Sequence, residues 1–106
     1  MYKIEEVIKH HGGYLVRVFQ GIDGFRARYK SWPTKLCLGK AVYEGLSEHM
    51  TDFGLRLLQE KIQIEIDAKD VSRISACDAD GRSLEYGWYG ESPDMDTYQW
   101  LGVEKL

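Results

Sequence analysis

Hydrophobic periodicity changes twice along this chain, and that change limits the architectures open to it. Residues 14–20 alternate apolar and polar, Gly21-Ile22-Asp23-Gly24 offers a turn with two glycines, and residues 25–31 alternate again. This reads as a β-hairpin. From Leu38 the period lengthens. Val42, Leu46, Met50, Phe53 and Leu57 recur at steps of four, four, three and four, the stripe of an amphipathic helix that Leu38, Ala41 and Leu58 widen. Thr51 and Gly54 mark where that helix kinks or splits in two. Residues 62–67 then return to strict alternation, and residues 71–77 and 83–89 follow as further strands.

Turn chemistry fixes a register for this second set. If Asp78 opposes Arg82 around Ala79-Asp80-Gly81, with Gly81 left-handed, then Ile74, Ala76, Leu84, Tyr86 and Trp88 share one face. A turn at Ala68-Lys69-Asp70 adds Ile62, Ile64 and Ile66, and leaves Arg73, Ser75, Cys77, Ser83 and Glu85 on the other side. Residues 2–9 read either as a first strand returning through His10-His11-Gly12-Gly13 or as a short helix stopped by Gly12, and the strand is preferred. Ser92-Pro93 resembles a helix start before a short C-terminal segment at residues 98–103. The expected fold is α+β: antiparallel β-meanders of about six strands packed against one long or kinked amphipathic helix, in the order βββ-α-βββ. A chain of 106 residues that is 43% hydrophobic supports one core without a covalent staple, so one domain, 1–106, is expected.

Cys37 and Cys77 lack the spacing of a redox or zinc motif and read as free thiols, Cys77 accessible and Cys37 protected. There is no long apolar run, and the start has no basic-then-apolar plan, so no membrane contact and a cytoplasmic location are expected.

The net charge of -3 hides an asymmetry. Residues 1–40 carry eight Lys/Arg against three acids, a balance of +5, whereas the rest carries six against fourteen, a balance of -8. In the hairpin register, Arg17, Arg26, Arg28 and Lys30 form a basic surface opposite Val16, Val18, Phe25, Ala27 and Tyr29. Such a face, edged by Phe19 and Trp32, could hold phosphates and bases. The overall pI of 5.6 argues against nucleic acid as the first choice. Near the other end, Tyr89, Tyr98 and Trp100 interleave with Glu91, Asp94 and Asp96, a composition that suits an interface or a pocket for a cationic ligand.

Catalytic signatures are missing. His10-His11 reads as part of a turn, His49 near Glu48 and Asp52 as a surface histidine, and Asp78-Ala79-Asp80-Gly81 as a turn whose frame does not fit a calcium loop. No cofactor and no metal are expected. The sequence therefore points to a non-enzymatic interaction module, a homodimer engaging a protein or small ligand. A nucleic-acid-binding accessory protein, an acidic mimic that inhibits one, and a small enzyme are the alternatives.

Overall fold

The computed structural model describes residues 1–86 and 96–104. Its elements are α1 (Ile4–Val7), α2 (Gly13–Tyr29), β1 (Lys35–Gly39), α3 (Lys40–His49), α4 (Asp52–Lys61), β2 (Gln63–Asp67), β3 (Ile74–Cys77), β4 (Ser83–Glu85) and α5 (Thr97–Trp100). The architecture is α+β, but the sheet is mixed and has four strands in the order β2-β1-β3-β4. β1 runs parallel to β2 and antiparallel to β3, which pairs antiparallel with β4. The expected pair of meanders with about six antiparallel strands is not formed.

The largest correction is at the N-terminal half. Residues 14–31, expected as a hairpin, contribute the 17-residue helix α2 instead. Leu15, Val18, Phe19, Ile22 and Phe25 are all fully buried and follow helical spacing, so the segment satisfies a 3.6-residue period as well as a two-residue one. Packing on the sheet decides between them. Gly21 is no turn residue: it lies inside α2, where an added Cβ would come within 3.3 Å of Ile74 Cγ2, so its bare Cα lets the helix approach β3 closely. Before α2, Gly12 at φ 116° and Gly13 at φ 56° make the reversal that a side chain would oppose.

Residues 2–9 are the short-helix alternative rather than a strand. Tyr2 and Ile8 flank α1 in isolated bridges to Val103 and Met50. The long amphipathic stripe divides at Met50-Thr51 into α3 and α4. Thr51 is the cause: its backbone is extended, its hydroxyl accepts from the Gly54 N–H at 2.9 Å and donates to the Glu6 carbonyl at 2.6 Å. Lys35–Gly39, part of which was assigned to the helix start, is a central strand whose Leu36 and Leu38 are buried. Helices α3 and α4 form the crossover that parallel pairing of β1 and β2 requires.

The β3–β4 hairpin agrees with the turn reading. Asp78 N–H donates to the Arg82 carbonyl at 3.0 Å, Gly81 sits at φ 83°, and Ala76 opposes Leu84. Burial works against the Asp78 carboxylate, but hydrogen bonds from the Arg82 side chain and backbone outweigh it and hold its pKa below the ordinary value. The turn at residues 68–70 does not join neighbouring strands, because β1 lies between β2 and β3. Ile66, placed on the apolar face by that turn, is 52% exposed. Among the described residues no helix is long and apolar enough to cross a membrane.

Candidate functional site

The C-terminal end of α2 gathers residues from both candidate groups. Lys30 closes the helix in the left-handed region at φ 61°, its N–H donating to the Arg26 carbonyl at 2.9 Å. Arg26 reaches forward in return, its Nη1 donating to the Lys30 carbonyl at 2.6 Å. The same guanidinium lies 5.3 Å from the centre of the Trp32 ring, and Trp32 stacks on Trp100 at 4.9 Å with 11° between planes. One turn before Arg26, Asp23 is only 3% exposed.

Asp23 anchors the C-terminal segment. Its Oδ1 accepts from the Thr97 N–H at 2.9 Å and from the Thr97 hydroxyl at 2.7 Å. Among the described residues, its Oδ2 is buried with no hydrogen-bond partner. An orphaned buried oxygen costs roughly 1–3 kcal/mol, more when charged. Burial pushes the Asp23 pKa up, and the nearby Asp96 carboxylate adds to the rise against the hydrogen bonds from Thr97. Asp23, Arg26, Ala27, Lys30 and Asp96 line a cleft of about 240 Å³. Among the described residues, neither Arg26 nor Lys30 forms an ion pair.

The cleft can therefore present two cations to an anion and two carboxyl groups to a donor, beside a ring stack already carrying a guanidinium.

The four basic residues do not form one face. Arg17 and Arg26 stand nine residues apart on α2, which places them about half a helical circumference apart. Arg17 lies over the Tyr14 ring at 5.4 Å and Arg28 over the Tyr29 ring at 5.9 Å. Only Arg26 and Lys30 of the set meet at the cleft. Of the aromatic and acidic set, Asp96 lines the cleft with them, and Trp100 stands beside it through its stack on Trp32. Tyr98 packs edge-on against Phe19 and its hydroxyl lies 3.3 Å from His11 Nδ1, while burial first and the Asp23 charge second push its pKa up. Tyr89, Glu91 and Asp94 lie outside the described residues, as does Trp88.

Phe19, read as an edge of the basic face, is fully buried, and Tyr98 and Trp100, read as part of an interface or pocket, are partly buried and packed against the core. His49 Nδ1 contacts the Gly45 carbonyl at 2.8 Å within α3, and His10 meets its ring edge-on. No group of three or more metal-ligating side chains occurs among the described residues.

Asp23 was missed as a site residue because its segment reads as a chain reversal, whereas Trp32 reads as the edge of a basic sheet face and not as half of a ring stack beside the end of a helix. The available signal was an acid directly after Ile22 within a stripe of apolar residues at helical spacing. No protein-family model, curated protein or solved structure matches the chain.

Proposed function

We propose that the protein is a binding module that holds a small ligand carrying both an amine-type donor and an anionic group in the cleft at the end of α2. Arg26 and Lys30 take the anionic group. Asp23 and Asp96 take the donor, and the Trp32–Trp100 stack flanks the site. The observation that carries this reading is one cleft in which, among the described residues, a buried Asp23 oxygen has no hydrogen-bond partner and two cations have no ion-pair partner. A folded protein keeps a buried orphan acceptor at a cost, and a ligand donor entering the cleft would relieve it. A ligand bearing only one sign of charge would leave half of the lining unmatched. The cleft lies at the small end of the range for ligand sites, which favours a compact molecule such as an amino acid or a short amino-alkyl phosphate.

The reading requires neither a second copy nor a nucleic acid. A nucleic-acid partner is disfavoured by the separation of Arg17 from Arg26 around the helix, which breaks the basic track.

Thermal-shift screening of a panel of compact zwitterions tests the proposal. A ligand at one hundred times its Kd raises stability by about 2.7 kcal/mol. The expected result is a shift for the wild type that is lost in Asp23→Asn and in Arg26→Met. Failure of every zwitterion to shift the wild type, or equal shifts in the variants, would overturn it.

A further inference from the structure

The helices pack on one face of the sheet, through Leu36, Leu38, Ile74, Ala76 and Leu84. The opposite face carries both cysteines. In the β1–β3 ladder Lys35 opposes Cys77 and Cys37 opposes Ser75, so Cys37 and Cys77 are diagonal neighbours on that face. Both are free and half-buried. Cys37 Sγ lies 3.9 Å from Glu65 Oε2, and Cys77 Sγ lies 3.7 Å from the Lys35 carbonyl. Beside Cys37 lies a cavity of about 320 Å³, edged also by Glu65 and Arg73, which gives access from solvent.

Spacing decides what such a pair can do. A disulfide needs Cα atoms within about 6.8 Å, whereas diagonal neighbours across an antiparallel ladder stand about 7–8 Å apart. At a typical diagonal spacing direct bonding is disfavoured. A metal–thiolate bond is about 2.3 Å long, so one ion held linearly between two sulfurs spans about 4.6 Å, a longer reach than the roughly 2 Å of a disulfide bond. No group of three or more metal-ligating side chains occurs among the described residues, so the cluster does not supply a tetrahedral set. The Glu65 carboxylate near Cys37 is held by Lys35 at 3.1 Å, and two thiolates select a soft ion.

We infer that Cys37 and Cys77 form a two-coordinate site for a soft, thiophilic cation of the copper(I) class on the sheet face opposite the helices. Both thiols give up their protons on binding, so one copper(I) and two thiolates leave a complex of net charge -1. Lys35 is placed to offset that charge. It lies opposite Cys77 and two residues from Cys37, and its ammonium is paired with Glu65 at 3.1 Å. Binding therefore releases two protons and is met by a cation already in position.

The test uses the whole reduced chain, without oxygen, titrated with copper(I) against a chromophoric copper(I) chelator. One equivalent should transfer per chain, with thiolate-to-copper absorption in the near ultraviolet and a monomeric complex by native mass spectrometry. Cys37→Ser and Cys77→Ser should each weaken binding by about 100-fold or more, and Lys35→Met by roughly 10-fold, the scale of an outer-shell effect. Cysteine-to-alanine variants, checked by circular dichroism, repeat the comparison if a serine variant misfolds. Wild-type affinity in either single variant, or copper bound only between two chains, would overturn the site. So would formation of an intrachain disulfide in place of the complex.

Discussion

Thr97 delivers both its hydroxyl and its backbone N–H to a single oxygen of Asp23, at 2.7 and 2.9 Å, and leaves the other carboxylate oxygen buried without a partner among the described residues. Residues 74 apart in sequence are thereby tied at the wall of the cleft. The arrangement holds the C-terminal segment on α2 and costs stability at the same time.

The first prediction follows from that cost. Burial raises the Asp23 pKa above its unfolded value, so the unfolded state releases the proton first as pH rises. Asp23 therefore lowers stability progressively from the unfolded carboxyl pKa up to the folded one, and the penalty is complete above that window. Asp23→Asn keeps the acceptor for Thr97 and removes the charge. It should raise the melting temperature at pH 7, and the difference should shrink as the pH is lowered through the carboxyl range. Melting curves of both proteins from pH 3 to 8 check this. A difference that grows on acidification would contradict it.

The second prediction concerns thiol chemistry. Cys77 is half-buried and its pKa is raised by burial and by Cys37. At pH 8 it should react with a disulfide reagent more slowly than a small free thiol, and approach that thiol's rate as the pH rises. Cys37 is not protected as a helix start would make it, because it stands half-buried on strand β1. Labelling of Cys37→Ser and Cys77→Ser across pH 7 to 10 reports each thiol separately.

How much of this was legible in the sequence differs between elements for physical reasons. The Asp78–Arg82 turn was readable because its chemistry is local: an acid, a glycine at positive φ and a basic residue act within five positions. The α3–α4 stripe was readable in part: Val42, Leu46, Met50 and Leu58 are buried and Thr51 with Gly54 marked where the helix divides, but Phe53 is exposed and Leu38 belongs to β1. Helix α2 was not. Its residues obey two periods at once, and Gly21 and Gly24 mimic a hairpin turn. What selects the helix is the close approach of Gly21 to Ile74 on a strand that comes more than fifty residues later. The same loss carried through to the site. Four cations placed on one sheet face became cations distributed around a helix, and only Arg26 and Lys30 reached the cleft. The parallel pairing of β1 with β2 is equally non-local, and nothing in the five residues of β1 announces it.

The third prediction separates two uses of glycine. A Cβ at Gly54 would collide with the Val7 carbonyl where α4 meets α1, and a backbone group cannot step aside as a flexible side chain can. Gly81 has open space around it but sits at φ 83°. Gly81→Ala should cost about 1–2 kcal/mol, the strain of a left-handed residue with a Cβ. Gly54→Ala should cost roughly 3 kcal/mol or more, because overpacking here forces the two helices apart. Urea unfolding of the two variants ranks them, and a smaller loss at Gly54 would show that α1 moves away freely.

The last prediction uses Lys30, which has two roles that one substitution separates. It is the only described non-glycine residue at positive φ, and it adopts φ 61° to end α2. A glycine there removes the strain of a side chain in the left-handed region, about 1–2 kcal/mol, offset in part by the greater freedom that glycine has in the unfolded chain. Lys30→Gly also keeps the backbone carbonyl that accepts from Arg26, so the helix end retains its 2.6 Å hydrogen bond. The free protein should therefore melt several degrees higher than the wild type. Lys30 is also one of two cations lining the cleft, so the same variant should show a smaller thermal shift with the zwitterion that stabilises the wild type. The two effects run in opposite directions in one protein, which no general loosening or tightening of the fold would produce. A lower melting temperature without ligand would mean that the Lys30 side chain contributes more to the fold than its backbone strain costs. An unchanged ligand shift would remove Lys30 from the site.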